Sequence, residues 1–376
     1  MSNVAELLNK IEQIADHPEC QLKMYTEKGK KAIGCMYYAP EELIDAAGMI
    51  PFGVWGAETE LSSVKSYFPS FICSILQTTL ELGINGSFDQ LSGMIIPANC
   101  DPLRTMGQNW KVAVPQVEFI PLVHPINRKT EAGRKFLMAE YRSIQKALER
   151  ISGQTITPER LEHSIDMYNT YRQTMRDFVR AAVDHPDLIT PAIRHKVIKA
   201  GYFTDKETYT QTVRALVEAL SDVKEATWTG SKLLVTGILM DSPEIMDVLE
   251  ENHVAIVADD LAQETRQFRS NVPKEGESPM QRLVNYWSEM EGCSLLYDPQ
   301  KKRGDMIIET VKNTGADGVL FLMMKFCDPE EFDYPIIKKQ LEQANIPQIY
   351  VEFEQNAIDK EQIRTRIQAF NEMIHV

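Results

Sequence analysis

Short apolar runs alternate with helix-length segments in the first and last thirds of this 376-residue chain, and this pattern limits the possible folds more than any other feature. The first group of runs is KAIGCMYY (31–38), MIPFGVWG (49–56), SGMIIP (92–97) and QVEFIPLV (116–123). The second group is KLLVTGILM (232–240), VAIVAD (254–259), GVLFLMM (318–324) and IPQIYVEF (346–353). Runs that are apolar throughout, without alternation, are typical of parallel strands covered by helices on both faces.

The section between the two groups shows only long helical periodicity and needs no strand. We therefore predict an α/β fold with two doubly wound, Rossmann-like parallel-sheet domains, 1–130 and 229–376, joined by a helical connecting block, 131–228. A ligand site is expected in the cleft between the two domains, because ligands of such sheets bind beyond the carboxyl ends of the strands.

Local signals place individual helices within this frame. Pro40, followed by two glutamates, and Thr157, followed by Pro-Glu, mark helix starts. Another helix is predicted at 335–344, again beginning with a proline. Residues 266–279 are polar and are expected to form a loop, as in a surface insertion.

Charge and composition exclude several classes of protein. The 54 acidic and 40 basic residues give a formal charge of −14, which repels nucleic acid. The charged N-terminal segment resembles neither a signal peptide nor a membrane helix, so we expect a cytoplasmic protein without a membrane partner. In that compartment the six cysteines are core residues, reactive thiols or metal ligands rather than disulfides.

Cysteine follows an apolar run at a similar point in both α/β sections. Cys100 and Cys327 each begin a Cys-Asp-Pro sequence just past a predicted strand, and a given cysteine precedes Asp-Pro only about once in several hundred cases. Cys73 lies at a predicted helix N-terminus, where the dipole stabilises a thiolate. Three thiolates in an interdomain cleft suit an iron–sulfur cluster with one position left over, although their spacing alone also allows a core role for each.

The other candidate groups are interpreted as structural. Three cysteines lack the recurring context: Cys20, Cys35 and Cys293. Asp101 and Asp328 are predicted to hydrogen-bond or cap the helices that follow, and Arg104 is at least as well placed for a salt bridge as for an anionic ligand. Most of the seven histidines are interpreted as surface or cap residues. The sequence has no GxGxxG after a strand, no Walker A run, no HExxH and no GxSxG.

Three segments resemble the 2-hydroxyacyl-CoA dehydratase family (D-component), which is shared with benzoyl-CoA reductase subunits. They are YYAPEELIDAAGMIPFGVWGAE (37–58), IIPANCDPLR (95–104) and MMKFCDPEEFDYP (323–335). The resemblance implies that Cys73, Cys100 and Cys327 are the three protein ligands of one [4Fe-4S] cluster, with a non-protein fourth ligand. It further implies a β-type subunit of an oxygen-sensitive hydro-lyase, paired with a homologous α subunit that carries most of the substrate ligation.

The reaction of this family removes a proton from a carbon that the thioester carbonyl does not activate. The implied cofactor would supply the electron that makes this step possible. Water leaves a 2-hydroxyacyl thioester although the β proton is unactivated, and acid–base catalysis, contributing about 10²–10⁴-fold, does not make that proton acidic enough. One added electron gives a ketyl radical anion that expels the hydroxide. The resemblance implies that this electron comes from a separate ATP-dependent iron–sulfur activator and passes through a relay cluster on this chain.

Several functional readings stay open from the sequence. The resemblance favours 2-hydroxyisocaproyl-CoA, in leucine fermentation, as the acyl-CoA substrate, with phenyllactyl-CoA as the near alternative. A benzoyl-CoA reductase-type subunit, a stand-alone electron-transfer cluster protein and a metal-free scaffold with six core cysteines are the other candidates. The residues do not identify a catalytic base.

Overall fold

Both groups of apolar runs form parallel sheets. The computed structural model describes residues 2–356 and 359–375. The strands are β1 (Ala32–Cys35), β2 (Ile50–Gly53), β3 (Gly93–Pro97), β4 (Phe119–Leu122), β5 (Ser231–Gly237), β6 (Val254–Leu261), β7 (Gly318–Met324) and β8 (Gln348–Phe353). The first sheet has the order β2-β1-β3-β4 and the second β6-β5-β7-β8, with every neighbouring pair parallel. The predicted α/β fold is confirmed, and the two sheets repeat one strand order.

Helices connect and cover these strands. They are α1 (Ser2–Asp16), α2 (Pro18–Glu27), α3 (Glu41–Ala46), α4 (Ser74–Ile84), α5 (Asp101–Ala113), α6 (Glu131–Ser152), α7 (Pro158–Asp184), α8 (Pro191–Ala200), α9 (Lys206–Ser221), α10 (Pro243–Glu251), α11 (Thr265–Phe268), α12 (Pro279–Glu289), α13 (Lys302–Thr314), α14 (Asp328–Gln343) and α15 (Lys360–Ile374). One 3₁₀ turn spans Ser63–Ser66. In the described ranges, no helix has both the length and the apolar character that a bilayer crossing requires.

The burial of the strands follows from their place in each sheet. Every residue of the inner strands β3 and β7 is buried, as expected where helices cover both faces. The edge strands β4 and β8 each contain an exposed residue and partly buried ones. The edge strands β2 and β6 depart from this pattern, since neither contains an exposed residue.

The predicted helical block contains α6 to α9. α7 packs on α9 and on α3, and α8 packs on α1. One continuous apolar core joins residues from all three sections, for example Ile33, Phe178 and Leu322. The boundaries after residues 130 and 228 stay a prediction.

Two local predictions were wrong at their starting residue. The helix expected at 335–344 begins seven residues earlier at Asp328, directly after Cys327, with Pro335 inside it. The loop expected at 266–279 is confirmed for residues 269–278, but its first residues belong to α11, where Arg266 is fully buried and Phe268 is 2% exposed. Arg266 is buried there because Asp260 and Glu330, which lie in other elements, pair with it.

Candidate metal centre

Each of the three predicted cysteines is the residue immediately before a helix. Cys73 precedes α4, Cys100 precedes α5 and Cys327 precedes α14. Cys100 and Cys327 each lie three residues past the last residue of the strand before them, β3 and β7. Since these strands hold corresponding places in the two sheets, both cysteines occupy the same position in the repeated unit.

The three cysteines line one cleft, which encloses about 570 Å³ of empty space that is partly open to solvent. Cys327 is buried, whereas Cys73 and Cys100 are partly exposed. Much of the remaining wall is apolar and includes Trp55, Leu76, Leu103, Ile238 and Leu295. The cleft thus receives one cysteine from the second sheet section and two from the first, in surroundings of low dielectric.

Burial dominates the acidity of these thiols. It raises the pKa of Cys73 to about 12 and that of Cys100 to about 11, and it also raises the pKa of Cys327 well above its ordinary value. A thiolate at Cys100 would add to the rise in the pKa of Cys73, and thiolates at Cys73 and Cys100 would both add to the rise in the pKa of Cys327. The thiols are therefore protonated at neutral pH until a metal displaces the protons.

Backbone amides act in the opposite direction. The N–H group three residues after each cysteine, in Leu76, Leu103 and Glu330, lowers the pKa of the respective thiol. No cap hydrogen bond to sulfur forms, so these amides act as dipoles at the start of each helix. Three helix N-termini directed at one cleft favour a bound group that carries negative charge.

The donor set fits an iron–sulfur cluster better than a single ion. In the part of the chain that the structure describes, no three His, Cys, Asp or Glu side chains are close enough to hold one metal ion. Thiolates of a cluster lie further apart, since each binds a different iron of the inorganic core. Three thiols and apolar walls are the ligands and the surroundings that such a cluster takes.

A charge network lies behind Cys327, and we call it the Arg266 network: Arg266, Arg303, Asp260 and Glu330. All four side chains are buried. Glu330 accepts hydrogen bonds from Arg266 Nη1 at 3.1 Å and from Arg303 Nη2 at 2.8 Å, while Asp260 pairs with the same two arginines at 2.8 Å. Burial acts to raise the pKa of Glu330, but the guanidinium groups beside it hold that pKa below its usual value. The carboxylate is therefore ionised.

Tyr37 connects this network to the cleft. Its ring belongs to the cleft wall, and its hydroxyl lies 3.1 Å from Cys293 Sγ. Arg266 Nη1 lies 3.7 Å from the same sulfur. Cys293 is buried as predicted for a structural cysteine, and so is Cys35 in β1, whereas Cys20 is exposed.

The predictions for the neighbouring polar groups had mixed outcomes. Asp101 and Asp328 are the first residues of α5 and α14 and make no cap hydrogen bond, because the cysteines hold the cap positions. Arg104 is exposed and pairs with Asp101 at 3.8 Å, so the salt-bridge interpretation is confirmed. Four histidines are exposed, whereas three are buried: His124, His185 and His195.

A second cavity, of about 760 Å³, lies where the three sections meet. Its charged groups are already paired within the chain: Arg172 with Glu42, and Lys206 with Glu41. Faces of Tyr168 and neighbouring tyrosines cover these cations. This cavity therefore offers fewer free binding groups than the cysteine cleft.

Sequence reasoning missed the Arg266 network. Glu330 stands three residues after Cys327, in the first turn of α14, and this spacing was the available signal. Arg266, Arg303 and Asp260 come from α11, α13 and β6, so only the tertiary structure brings them together.

The fold and the site together define a two-sheet α/β protein with a three-cysteine cleft between repeated units. A family model described as "2-hydroxyglutaryl-CoA dehydratase, D-component" matches residues 36–374, and the chain belongs to this family.

Three curated relatives match over essentially their whole length. The chain is 48% identical over 376 residues to the (R)-phenyllactyl-CoA dehydratase beta subunit of Clostridium sporogenes, with 100% of both chains covered. It is 41% identical over 377 residues to the lactoyl-CoA dehydratase subunit beta of Anaerotignum propionicum, again with 100% of both covered. Identity to the (R)-2-hydroxyglutaryl-CoA dehydratase subunit beta of Acidaminococcus fermentans is 38% over 378 residues, covering 99% of this chain and 100% of the relative.

Proposed function

We propose that this chain is the β subunit of an (R)-2-hydroxyacyl-CoA dehydratase, a hydro-lyase that works as a heterodimer with a homologous α subunit. The observation that carries the proposal is the convergence of Cys73, Cys100 and Cys327, each at a helix N-terminus, on one apolar cleft. The names of the three relatives support the subunit type and the reaction class. The protein is proposed to be cytoplasmic.

Cys73, Cys100 and Cys327 would hold a [4Fe-4S] cluster, with a non-protein fourth ligand. When bound, the cluster supplies one-electron transfer between an ATP-dependent iron–sulfur activator and the α subunit. The residues of this chain have three tasks: the cysteines hold the group, the apolar wall with Trp55 and Leu103 keeps water out, and the helix N-termini stabilise its negative charge.

Exposed aromatic side chains near the cysteines support an α subunit covering the cleft. Phe71, two residues before Cys73, is 65% exposed, and Phe332, five residues after Cys327, is 78% exposed. Large apolar side chains this exposed next to a functional cleft are typical of protein interfaces. We infer that the α subunit contacts the surface around Phe71 and Phe332, which we call the rim, and that this contact shortens the path for the electron.

The substrate is a 2-hydroxyacyl-CoA thioester, and we propose 2-hydroxyisocaproyl-CoA, as in leucine fermentation, with phenyllactyl-CoA as the alternative. The relative with 48% identity is named for phenyllactyl-CoA, which supports including both thioesters in one assay.

The test is anaerobic production with the α subunit, followed by addition of activator, ATP, reductant and each thioester. Enoyl-CoA should form only when both subunits are present, with far less ATP hydrolysed than product made, because the electron is recycled. Cys100→Ser should lower the rate at least 100-fold, whereas Cys20→Ser, at an exposed cysteine away from the cleft, should not. Dehydration by the α subunit alone, or full activity of Cys100→Ser, would contradict the proposal. Electrons consumed in proportion to product would instead favour a benzoyl-CoA reductase-type subunit.

A further inference from the structure

Glu330 belongs both to the cysteine helix and to the Arg266 network. Its backbone N–H donates to the Cys327 carbonyl oxygen at 3.0 Å, which fixes it in the first turn of α14. Its carboxylate is 2% exposed and accepts hydrogen bonds from two arginines and, at 2.8 Å, from Ser294 Oγ. An ionised group is therefore held at a fixed place within one helical turn of a proposed cluster ligand.

The charges of the network balance only while Glu330 is present. Arg266 and Arg303 carry two positive charges, and Asp260 and Glu330 carry two negative charges. Arg269 and Asp333 add one partly buried charge of each sign at its edge. Removing the charge of Glu330 leaves one uncompensated positive charge in a region from which water is largely excluded, where fields act over longer distances than at the surface.

The charge of Glu330 lies near the cysteine. Glu330 is the third residue after Cys327, in the first turn of α14, and three hydrogen-bond donors hold its carboxylate in place. A buried charge this close to a ligand also acts on electrons added to a cluster bound there, since reduction adds negative charge.

We propose that Glu330 is a positioning residue that holds the reduction potential of the cluster low, through its fixed negative charge beside Cys327. A lower potential makes the reduced cluster a stronger donor to the thioester carbonyl in the partner subunit. The inference rests on the proposed function, because it requires a cluster on the three cysteines.

The test is an anaerobic redox titration of the purified heterodimer, with the cluster followed by electron paramagnetic resonance. Glu330→Gln, which keeps the shape of the side chain and removes its charge, should shift the potential of this cluster to more positive values. Glu330→Asp keeps the charge but shortens the side chain, so its potential should stay close to the wild-type value. Glu342→Gln, which removes an exposed carboxylate from the far end of the same helix, is the matched control and should show no shift.

The results of the titration distinguish a failure of the inference about Glu330 from a failure of the proposed function. Unchanged potential in Glu330→Gln overturns the inference, and so does an equal shift in Glu330→Asp, which would indicate a packing effect. If Glu330→Gln does not fold, Arg303→Gln provides the test with opposite sign, because it removes a positive charge and should shift the potential to more negative values. A wild-type β subunit without any cluster signal would refute the proposed function itself, and the inference with it.

Discussion

The position of each cleft cysteine directly before a helix determines the behaviour of its thiol. Burial keeps Cys73, Cys100 and Cys327 protonated, while the amide dipoles of the following turn favour the thiolate. The two effects oppose each other for the free thiol. When iron binds, the metal replaces the proton at the sulfur, and the dipoles stabilise the negative charge of the bound group. These residues are therefore suited to metal binding rather than to a free reactive thiolate.

Gly56, next to the cleft residue Trp55, provides a test of local packing. Its φ is +74°, and a Cβ there would lie 2.2 Å from Thr78 Oγ1 and 2.5 Å from Gln355 Oε1, which form a buried hydrogen bond with each other. Gly56→Ala should lower the free energy of unfolding by about 1–2 kcal/mol from the backbone conformation and by a similar further amount from the displaced bond.

Gly29→Ala is the matched control for this substitution. Gly29 has nearly the same φ, +73°, but a Cβ there would meet nothing within 4 Å. Urea unfolding of both variants should show the larger loss for Gly56→Ala. Equal losses would mean that the contact with Thr78 and Gln355 contributes nothing.

At the scale of elements, α8 is held against the second sheet by buried ions. Arg194 pairs with Asp259 and Glu264, and His195 lies between Glu264, 2.8 Å from Nδ1, and Asp241, 3.2 Å from Nε2. Burial alone would lower the pKa of His195, but the two carboxylates outweigh it and raise the pKa to about 9. The helical block is thus attached to the C-terminal section by charge as well as by apolar contact.

This arrangement predicts a specific pH dependence of stability. The folded state holds the His195 proton more tightly than the unfolded chain, so the stabilisation is complete below about pH 6.5 and is lost as pH rises through about 9. The shift corresponds to a contribution on the order of 3 kcal/mol. Between pH 6.5 and 9, His195→Gln should lose clearly less unfolding free energy than the wild type.

His163→Gln, at an exposed residue of α7 outside these ion contacts, serves as the control substitution. Other groups titrate in all three proteins, so the difference between them isolates His195. The same pH dependence in His195→Gln and the wild type would contradict the assigned ion contacts.

The sequence predicted the elements best where the signal was local. β7 begins and ends at the predicted residues, since an uninterrupted apolar run depends only on neighbours along the chain. Pro335 misplaced the start of α14, because proline is tolerated inside a helix when tertiary contacts compensate. Arg266 was assigned to a surface loop, because its partner Glu330 is 64 residues away and Asp260, six residues earlier, belongs to a different element.

The residues of the candidate site were also predicted only where the signal was local in the sequence. Cys100 and Cys327 were matched by their context after a strand, and the structure brings both to the cleft with Cys73. The residues of the Arg266 network were not predicted, because a buried ion pair leaves no periodic pattern in the sequence.

At the scale of the whole molecule, two sheets of identical strand order present corresponding ends to one cleft. A homologous chain with the same architecture can bind over the open side of this cleft, so that its own cleft faces the cleft of this chain. Phe71 and Phe332 are exposed and close in sequence to the cleft cysteines, and we propose them as contact residues on that face.

The rim makes a prediction about association with the α subunit. Phe71→Ser and Phe332→Ser should each weaken the heterodimer about tenfold or more, because each removes a large apolar contact that the partner buries. Met373→Ser, at an exposed residue on α15, is the control and should leave the affinity unchanged. Analytical ultracentrifugation under anaerobic conditions measures both. Wild-type affinity in Phe71→Ser and Phe332→Ser would show that the α subunit binds elsewhere.

Metal analysis determines whether Cys73, Cys100 and Cys327 hold one iron–sulfur cluster, as we propose. Iron and acid-labile sulfide are measured on the anaerobically purified chain, on Cys73→Ser, Cys100→Ser and Cys327→Ser, and on Cys293→Ser and Cys20→Ser as controls. If this proposal holds, we expect about four irons and four sulfides per wild-type chain, a large loss in each of the first three variants, and wild-type content in Cys20→Ser. Cys293→Ser should keep the cluster as well, since its sulfur contacts Tyr37 and Arg266 rather than the cleft. Full iron content in any of the three cleft variants, or none in the wild type, would contradict it.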